Sequence, residues 1–226
     1  YCVSQFIKNK FEEGINQDSK KIHVLHNGVD RILKFFPKKN KEILFVGRLV
    51  PEKGVSLFVQ AVEKLALEYR DWKFYICGSA FLGNFDRKSN FASDMTEKFN
   101  KIGKQANFTG FLSNNKIKDM MKKASIVVVP SLWEEPFGLV VAEAMSSGSA
   151  IITTNKGGIP EIIKSNGIII DNINLHKLIL KMRLLMKHEL ILKKYQNLAW
   201  VNFSHTSKAS AEKLDTYRKA IINSLS

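Results

Sequence analysis

The chain has 226 residues, 45% of them hydrophobic, and its 35 Lys and Arg against 21 Asp and Glu give a formal net charge of +14. Such apolar content excludes a disordered chain, and no apolar run approaches the roughly 20 residues of a bilayer-spanning helix. The basic excess predicts attraction to anions without choosing among phosphate ligands, nucleic acid and an acidic membrane surface.

Residues 1–16 read as one helix, followed by the strand Ile22-His23-Val24-Leu25-His26 and the turn Asn27-Gly28-Val29-Asp30. Short runs rich in Val, Ile and Phe then predict strands at Ile43 to Gly47, Lys73 to Gly78, Ala106 to Gly110, Ile126 to Val129, Ala150 to Thr153 and Ile168 to Ile170. Helices are expected between them. Val55 to Tyr69 carries Val55, Phe58, Val59, Val62, Leu65 and Ala66 on an i, i+3, i+4, i+7 stripe. Others are expected at Asn114 to Lys123, Gly138 to Ser147 and Ile159 to Ile163, and a polar loop after Phe81 leads into one more that ends near Phe99. From Leu175 onward the pattern is helical only, with anchors such as Leu178, Leu185, Leu192 and Phe203 predicting three helices. The alternation predicts an α/β fold: a Rossmann-like, doubly wound parallel sheet with helices on both faces, plus C-terminal helices. Three parts are expected: a helix and linker over 1–30, the sheet domain over 31–173, and helices over 174–226.

Cys2 and Cys77 form no CxxC pair, and His23, His26, His176, His188 and His205 are scattered without an HExxH spacing. No metal or other cofactor is therefore predicted, and two unpaired thiols fit a reducing, cytoplasmic setting. The lysine pairs Lys38-Lys39, Lys122-Lys123 and Lys193-Lys194 lack interleaved aromatics. They read as solvated surface rather than as a nucleic-acid platform.

In a doubly wound sheet, ligands bind beyond the carboxyl ends of the strands. One candidate loop there is Gly47-Arg48-Leu49-Val50-Pro51-Glu52-Lys53-Gly54. Gly47 allows close backbone approach, Arg48 is suited to gripping a phosphate through its planar fork, and Lys53 adds a point charge near a helix start. No GK[ST] follows, so this is not a P-loop. The second candidate runs from Pro130 through Ser131, Leu132, Trp133, Glu134, Glu135, Pro136, Phe137, Gly138 and Leu139 to Glu143. Pro136 suits a helix start, which would place the amides of Gly138 and Leu139 in the first turn, facing an anion. On a regular helix Glu135 and Glu143 would lie roughly 12 Å apart along the axis and on nearly the same side. Two acceptors so spaced, with donors between them, match a ligand with hydroxyls at both ends and a diphosphate in the middle. Each glutamate alone also reads as an ordinary helix acid, but Glu143 stands in an apolar run where a charge needs a partner. Gly78-Ser79-Ala80-Phe81-Leu82-Gly83 lacks GxGxxG, Phe111 could face a base or fill core, and Gly157-Gly158-Ile159-Pro160-Glu161 is a further loop-to-helix start that could approach the ligand or be a turn only.

Taken together, Gly47-Arg48…Lys53-Gly54, Asn107 to Leu112, the Glu135-x7-Glu143 pair with its Pro-Phe-Gly-Leu interior, and Gly157 to Glu161 resemble the C-terminal half of GT-B-fold retaining glycosyltransferases of family 4 (group 1). The resemblance runs from Val3 to the end. It implies that Arg48 and Lys53 bind the donor diphosphate and act catalytically, with Glu135, as the residues nearest the transferred sugar. It further implies that Glu143 holds the ribose, that Gly47 and the amides of Phe137, Gly138 and Leu139 line sugar and phosphate, and that Phe111 lies near the base. The implied reaction moves a hexose from a UDP- or GDP-linked donor to a glycan or lipid-linked acceptor with retention, in surface polysaccharide or lipopolysaccharide synthesis. The acceptor half of such enzymes is expected to be missing here except for its last helix, within residues 3–14, so the chain by itself is expected to transfer nothing. Peripheral contact with the acidic inner face of a membrane accords with the charge. The competing readings are a non-catalytic nucleotide-sugar module and, from charge alone, a nucleic-acid-binding domain.

Overall fold

The computed structural model describes residues 1–15, 22–31, 33–80 and 89–223. Six parallel strands form one sheet: β1 (Asn40–Val46), β2 (Lys73–Cys77), β3 (Ala106–Gly110), β4 (Ala124–Val129), β5 (Ala150–Thr154) and β6 (Ile168–Ile170), in the order β3-β2-β1-β4-β5-β6. β4 is buried at every position, as a central parallel strand covered on both faces must be. Its side chains alternate: Ile126 and Val128 enter one core with Ile43, Phe45 and Ile152, while Val127 and Val129 enter the other with Leu44 and Ile151. The helices α2 (Val55–Glu68), α3 (Asn90–Lys101) and α7 (Leu175–Lys187) line the first core, and α4 (Asn114–Lys123), α5 (Leu139–Ser146) and α6 (Ile159–Ile163) line the second. α8 (Glu189–Val201) reaches both, through Leu192 and Ala199. The expected doubly wound sheet is therefore present, with α9 (Ser207–Asn223) as the last of three C-terminal helices.

β1 and β4 pair in the middle of the sheet, with Ile43 opposite Ile126 and Phe45 opposite Val128. The chain leaves β1 toward β2 and leaves β4 toward β5, on opposite sides. The loops that follow these two strands consequently diverge at the carboxyl edge, which makes the crevice between them the ligand position of such a sheet.

Three local expectations change. The amino-terminal helix is α1 (Gln5–Ile15), not the whole of residues 1–16; residue 16 lies outside the described residues. The expected strand over 22–26 reduces to one parallel bridge between Cys2 and Val24, held by Cys2 N–H to the His23 carbonyl at 2.9 Å and Leu25 N–H to the Cys2 carbonyl at 2.8 Å. With a single short partner, this pairing has no sheet to join. Lys39 is not a solvated lysine: its ammonium donates to the carbonyls of Met121 (3.0 Å) and Ser147 (2.7 Å) and to Ser149 Oγ (3.1 Å). It thereby binds carbonyls at the carboxyl ends of α4 and α5, where a cation complements the helix dipole, while burial pushes its pKa down to about 7. Of the polar loop expected after Phe81, residues 81–88 lie outside the described residues; α3 follows, with Ser89 accepting from the Ala92 amide.

The described residues of the amino-terminal part, 1–15 and 22–31, include several that are bonded to the sheet domain. Ser4 Oγ donates to the Pro136 carbonyl at 2.5 Å, and the Glu161 carboxylate accepts from the Gln5 and Phe6 amides, both at 2.8 Å, at the start of α1. Glu161 also meets His26 Nε2 at 3.3 Å, and His26 packs edge-on against His205, ring centroids 5.2 Å apart. Burial foremost, then His26 and Lys164, pushes the His205 pKa down to about 4. An unfolded histidine titrates near 6.5, so on acidification the unfolded chain takes up this proton first. The His205 contribution to stability is expected to be level above about pH 6.5, to fall between about 6.5 and 4, and to level again below. Urea unfolding midpoints measured across that window should decline more steeply for the parent chain than for His205→Gln; equal slopes would remove His205 as the cause.

Candidate functional site

At the divergence of the β1 and β4 loops lies a cavity of about 200 Å³, lined by Gly47, Lys53, Ser131, Glu135, Gly138 and Leu139 among others. The two walls are tied together through the carbonyl of Glu52, which accepts the Leu132 and Trp133 amides at 2.8 and 3.1 Å. Lys53 ends a short 3-10 turn, Pro51–Lys53, from which its side chain crosses to Glu135, Nζ to Oε1 2.5 Å. Both side chains are mostly covered, at 22% and 14% exposure. A pair this sheltered loses more when one member is removed than a surface pair does. Ser131 Oγ reaches the same carboxylate oxygen at 2.9 Å.

The loop from Pro130 to Gly138 departs from expectation. Pro136 does not open a helix: α5 begins at Leu139, and Gly138 before it has φ +96°, a left-handed conformation that glycine adopts freely. The Glu135-to-Glu143 span is thus not one helix, and Glu135 sits in the loop before α5, paired with Lys53, rather than on a shared helical face with Glu143. The amide expectation holds in part. Leu139 and Val140 occupy the first turn of α5, and among the described residues the amides of Gly138, Leu139 and Val140 donate to no protein acceptor. With the positive end of the helix dipole behind them, they are free to bind an anion in the cavity.

Glu143, one turn further along α5, is half-buried; its carbonyl accepts from Ser146 Oγ at 2.8 Å, while its carboxylate makes no hydrogen bond or ion pair among the described residues. Burial raises its carboxyl pKa against a weaker pull from Lys118, and among the described residues no bonded partner of the kind an apolar setting demands meets the carboxylate. Arg48 is exposed on the β1 loop and makes no hydrogen bond or ion pair among the described residues, leaving its guanidinium free at the carboxyl edge. Phe111 follows β3 at the same edge and is 49% exposed; it fills no core. The Phe137 ring, in contrast, is 3% exposed and packs 5.8 Å from His26 and 6.1 Å from His205, so only its main chain can serve the site.

Two contributors stand in the candidate segments but were given no individual role from the sequence. Ser131 is one, although a small polar residue just past Pro130 and the apolar run Ile126 to Val129 is a legible signal. The other is the Gly157-Gly158 turn, which touches the back of the loop: Gly158 N–H donates to the Glu135 carbonyl at 2.7 Å, and a Cβ on Gly157 would lie 2.1 Å from the Glu135 carbonyl oxygen. The turn thereby backs the main chain of Glu135. No cluster of three or more His, Cys, Asp or Glu able to hold a metal ion occurs among the described residues, nor is any described helix long and apolar enough to cross a membrane.

Comparison with known proteins agrees with this geometry. A family model described as "Glycosyl transferases group 1" matches residues 10–199. An uncharacterized glycosyltransferase of Methanocaldococcus jannaschii is 32% identical over 184 residues, covering 74% of this chain and 45% of that protein. The lipopolysaccharide 1,2-N-acetylglucosaminetransferase of Salmonella typhimurium is 27% identical over 172 residues, covering 71% of this chain and 45% of its own length. The chain thus spans about half the length of these curated relatives. Among solved structures, Anabaena Alr3699/HepE in complex with UDP-glucose superposes with a TM-score of 0.74 at 20% identity, over 95% of this chain and 63% of that one.

Proposed function

Because the chain belongs to the group 1 glycosyl transferases, we propose that it is the donor-binding part of a retaining, family 4 enzyme that transfers a hexose from a UDP- or GDP-linked sugar. The observation that carries the reading is the crevice between the β1 and β4 loops. Lys53, its partner Glu135 and the residues Gly138, Leu139 and Val140 at the start of α5 line one cavity; the exposed Arg48 follows Gly47 of that lining, and Glu143, whose carboxyl pKa burial raises, stands one turn further along α5. A diphosphate fits the basic and amide groups, the hydroxyls of its sugar fit Glu135, and the ribose hydroxyls fit the unpartnered Glu143. Phe111 offers an exposed ring to the base.

In the reaction, Arg48 and Lys53 neutralise the charge that grows on the departing diphosphate, and the amides of Gly138 and Leu139 add fixed dipoles. Glu135 orients the sugar and is not assigned as a nucleophile. The acceptor, a glycan or lipid-linked hydroxyl of surface polysaccharide or lipopolysaccharide synthesis, is brought by the acceptor-binding portion of such an enzyme. We further propose a place at the cytoplasmic face of the membrane, which the net charge of +14 favours.

Calorimetric titration with UDP, GDP and their sugars tests the reading. At least one nucleoside diphosphate should bind, and Glu143→Ala should weaken it about ten-fold, the effect of losing hydrogen bonds to a charged group, while inorganic diphosphate binds unchanged. No nucleotide binding by the parent chain would end the proposal.

A further inference from the structure

Glu135 is held in a way that a freely available sugar ligand would not require. Its Oε1 takes two donors, Lys53 Nζ at 2.5 Å and Ser131 Oγ at 2.9 Å. Ser131 has other acceptors within reach, the carbonyls of Trp133 at 3.2 Å and Glu52 at 3.4 Å. Its single hydroxyl proton goes to the nearest and only charged one. The donors differ in mobility. Ser131 is 1% exposed, and its main chain is fixed by Thr154 Oγ1, which donates to the Ser131 carbonyl at 2.8 Å. Lys53 reaches Glu135 on a flexible four-carbon stem from the opposite wall of the same cavity.

Resting on the donor-site reading, we infer that Glu135 is the resident anion of the phosphate subsite, and that Ser131 is a positioning residue which keeps the carboxylate in place once Lys53 is drawn away. A diphosphate entering the cavity competes with Glu135 for the ammonium of Lys53. When Lys53 moves to the phosphate, Glu135 loses one donor and keeps the other, so it neither collapses into the cavity nor needs to be rebuilt. Its freed acceptor capacity then faces the position of the sugar. The exchange makes the site selective. A nucleoside diphosphate without a sugar breaks the pair and gains nothing from Glu135, whereas a nucleotide sugar recovers the loss through hydrogen bonds to the released carboxylate. The ratio of the two affinities is therefore set by Glu135 and by the hydroxyl beneath it.

Calorimetry with inorganic diphosphate, UDP and UDP-glucose on the parent chain, Glu135→Gln, Ser131→Ala and Ser131→Thr separates these claims. Glu135→Gln should bind UDP and diphosphate about three-fold or more tightly, the scale of a partly sheltered ion pair, and should lose the preference for UDP-glucose over UDP. Ser131→Ala should lower that preference without weakening UDP, and Ser131→Thr, which keeps the hydroxyl, should restore it; a residue of merely structural importance would weaken all three ligands together. Unchanged or weaker UDP binding in Glu135→Gln overturns the resident-anion assignment even if the serine variants unfold, since Glu135 lies at a cavity wall and its amide is isosteric. An unchanged preference in folded Ser131→Ala overturns the positioning role. A parent chain that binds UDP and fails these tests retains the donor-site reading, and one that binds no nucleotide loses both.

Discussion

Replacing Arg48 and Lys53 together by Ala is expected to weaken nucleoside diphosphate binding about 100-fold or more, because each charge-assisted hydrogen bond to phosphate contributes about 1.5–3 kcal/mol. The geometry makes the loss larger than two deleted contacts. Without Lys53, the Glu135 carboxylate, 14% exposed, stands at the cavity wall with Ser131 as its remaining donor, and it then repels the diphosphate that Lys53 would have attracted. Lys53→Ala alone should therefore be the more damaging single change, and Arg48→Ala, which removes an exposed group without an internal partner, the milder. Lys98→Ala, at an exposed pair with Asp94 on α3, is the control that should leave binding unaltered. Calorimetric affinities of the double variant within about three-fold of the parent would show that the phosphate binds elsewhere.

Gly157→Ala should damage fold and site together. Gly157 has φ +60°, and an added Cβ would stand 2.1 Å from the Glu135 carbonyl oxygen and 2.5 Å from its nitrogen, so the loop must retreat. The left-handed conformation costs an alanine about 1–2 kcal/mol. Displacing the loop also forfeits the 2.7 Å bond from Gly158 N–H to Glu135, itself about 1 kcal/mol. A total of about 3 kcal/mol corresponds to a Tm lowered by roughly 6–12 °C in a chain of this size, accompanied by weaker nucleotide binding as Glu135 moves. Gly14→Ala, where the added methyl meets nothing within 4 Å, should not lower the Tm. Thermal unfolding of both variants decides the matter: a Gly157→Ala chain as stable as the parent would mean that this turn and the Glu135 loop are not in the contact described.

The sheet was legible in the sequence because burial on both faces imposes uninterrupted apolar runs such as Ile126 to Val129, and the stripe from Val55 to Ala66 could only be a helix against that sheet. The identity of the basic and acidic groups at the carboxyl edge was legible for the same reason: once β1 and β4 are located, the residues that follow them have a fixed address. What connected those groups was not. Pro136 carries the local signal of a helix start, yet the turn is set by Gly138 behind it and by Gly157 and Gly158 from β5's far side, contacts that sequence spacing does not contain. Lys39 failed as a surface lysine because its acceptors come from residues 121, 147 and 149, a convergence created by two helix ends meeting. Glu161 belonged to a glycine-proline turn in the sequence and proved to hold the start of α1, a partner 155 residues away. Local propensity predicts elements; the long-range bonds that aim side chains are decided by topology.

The anchoring of α1 bears on where this protein can be divided. Descent marks out residues 10–199 as the recognisable unit, but the bonds that close the structure reach beyond both margins. Cys2, Ser4, Gln5 and Phe6 fasten to residues 23, 136 and 161, and on the other side Ser210 Oγ and Tyr217 OH bond the carbonyls of His26 and Val24. A segment excised along the lines of ancestry would leave the Glu161 carboxylate without the amides it caps and the Pro136 carbonyl without its hydroxyl, on the very strip of backbone that carries Glu135. The span that the family model matches and the span that these bonds tie together are, in this molecule, different lengths of chain.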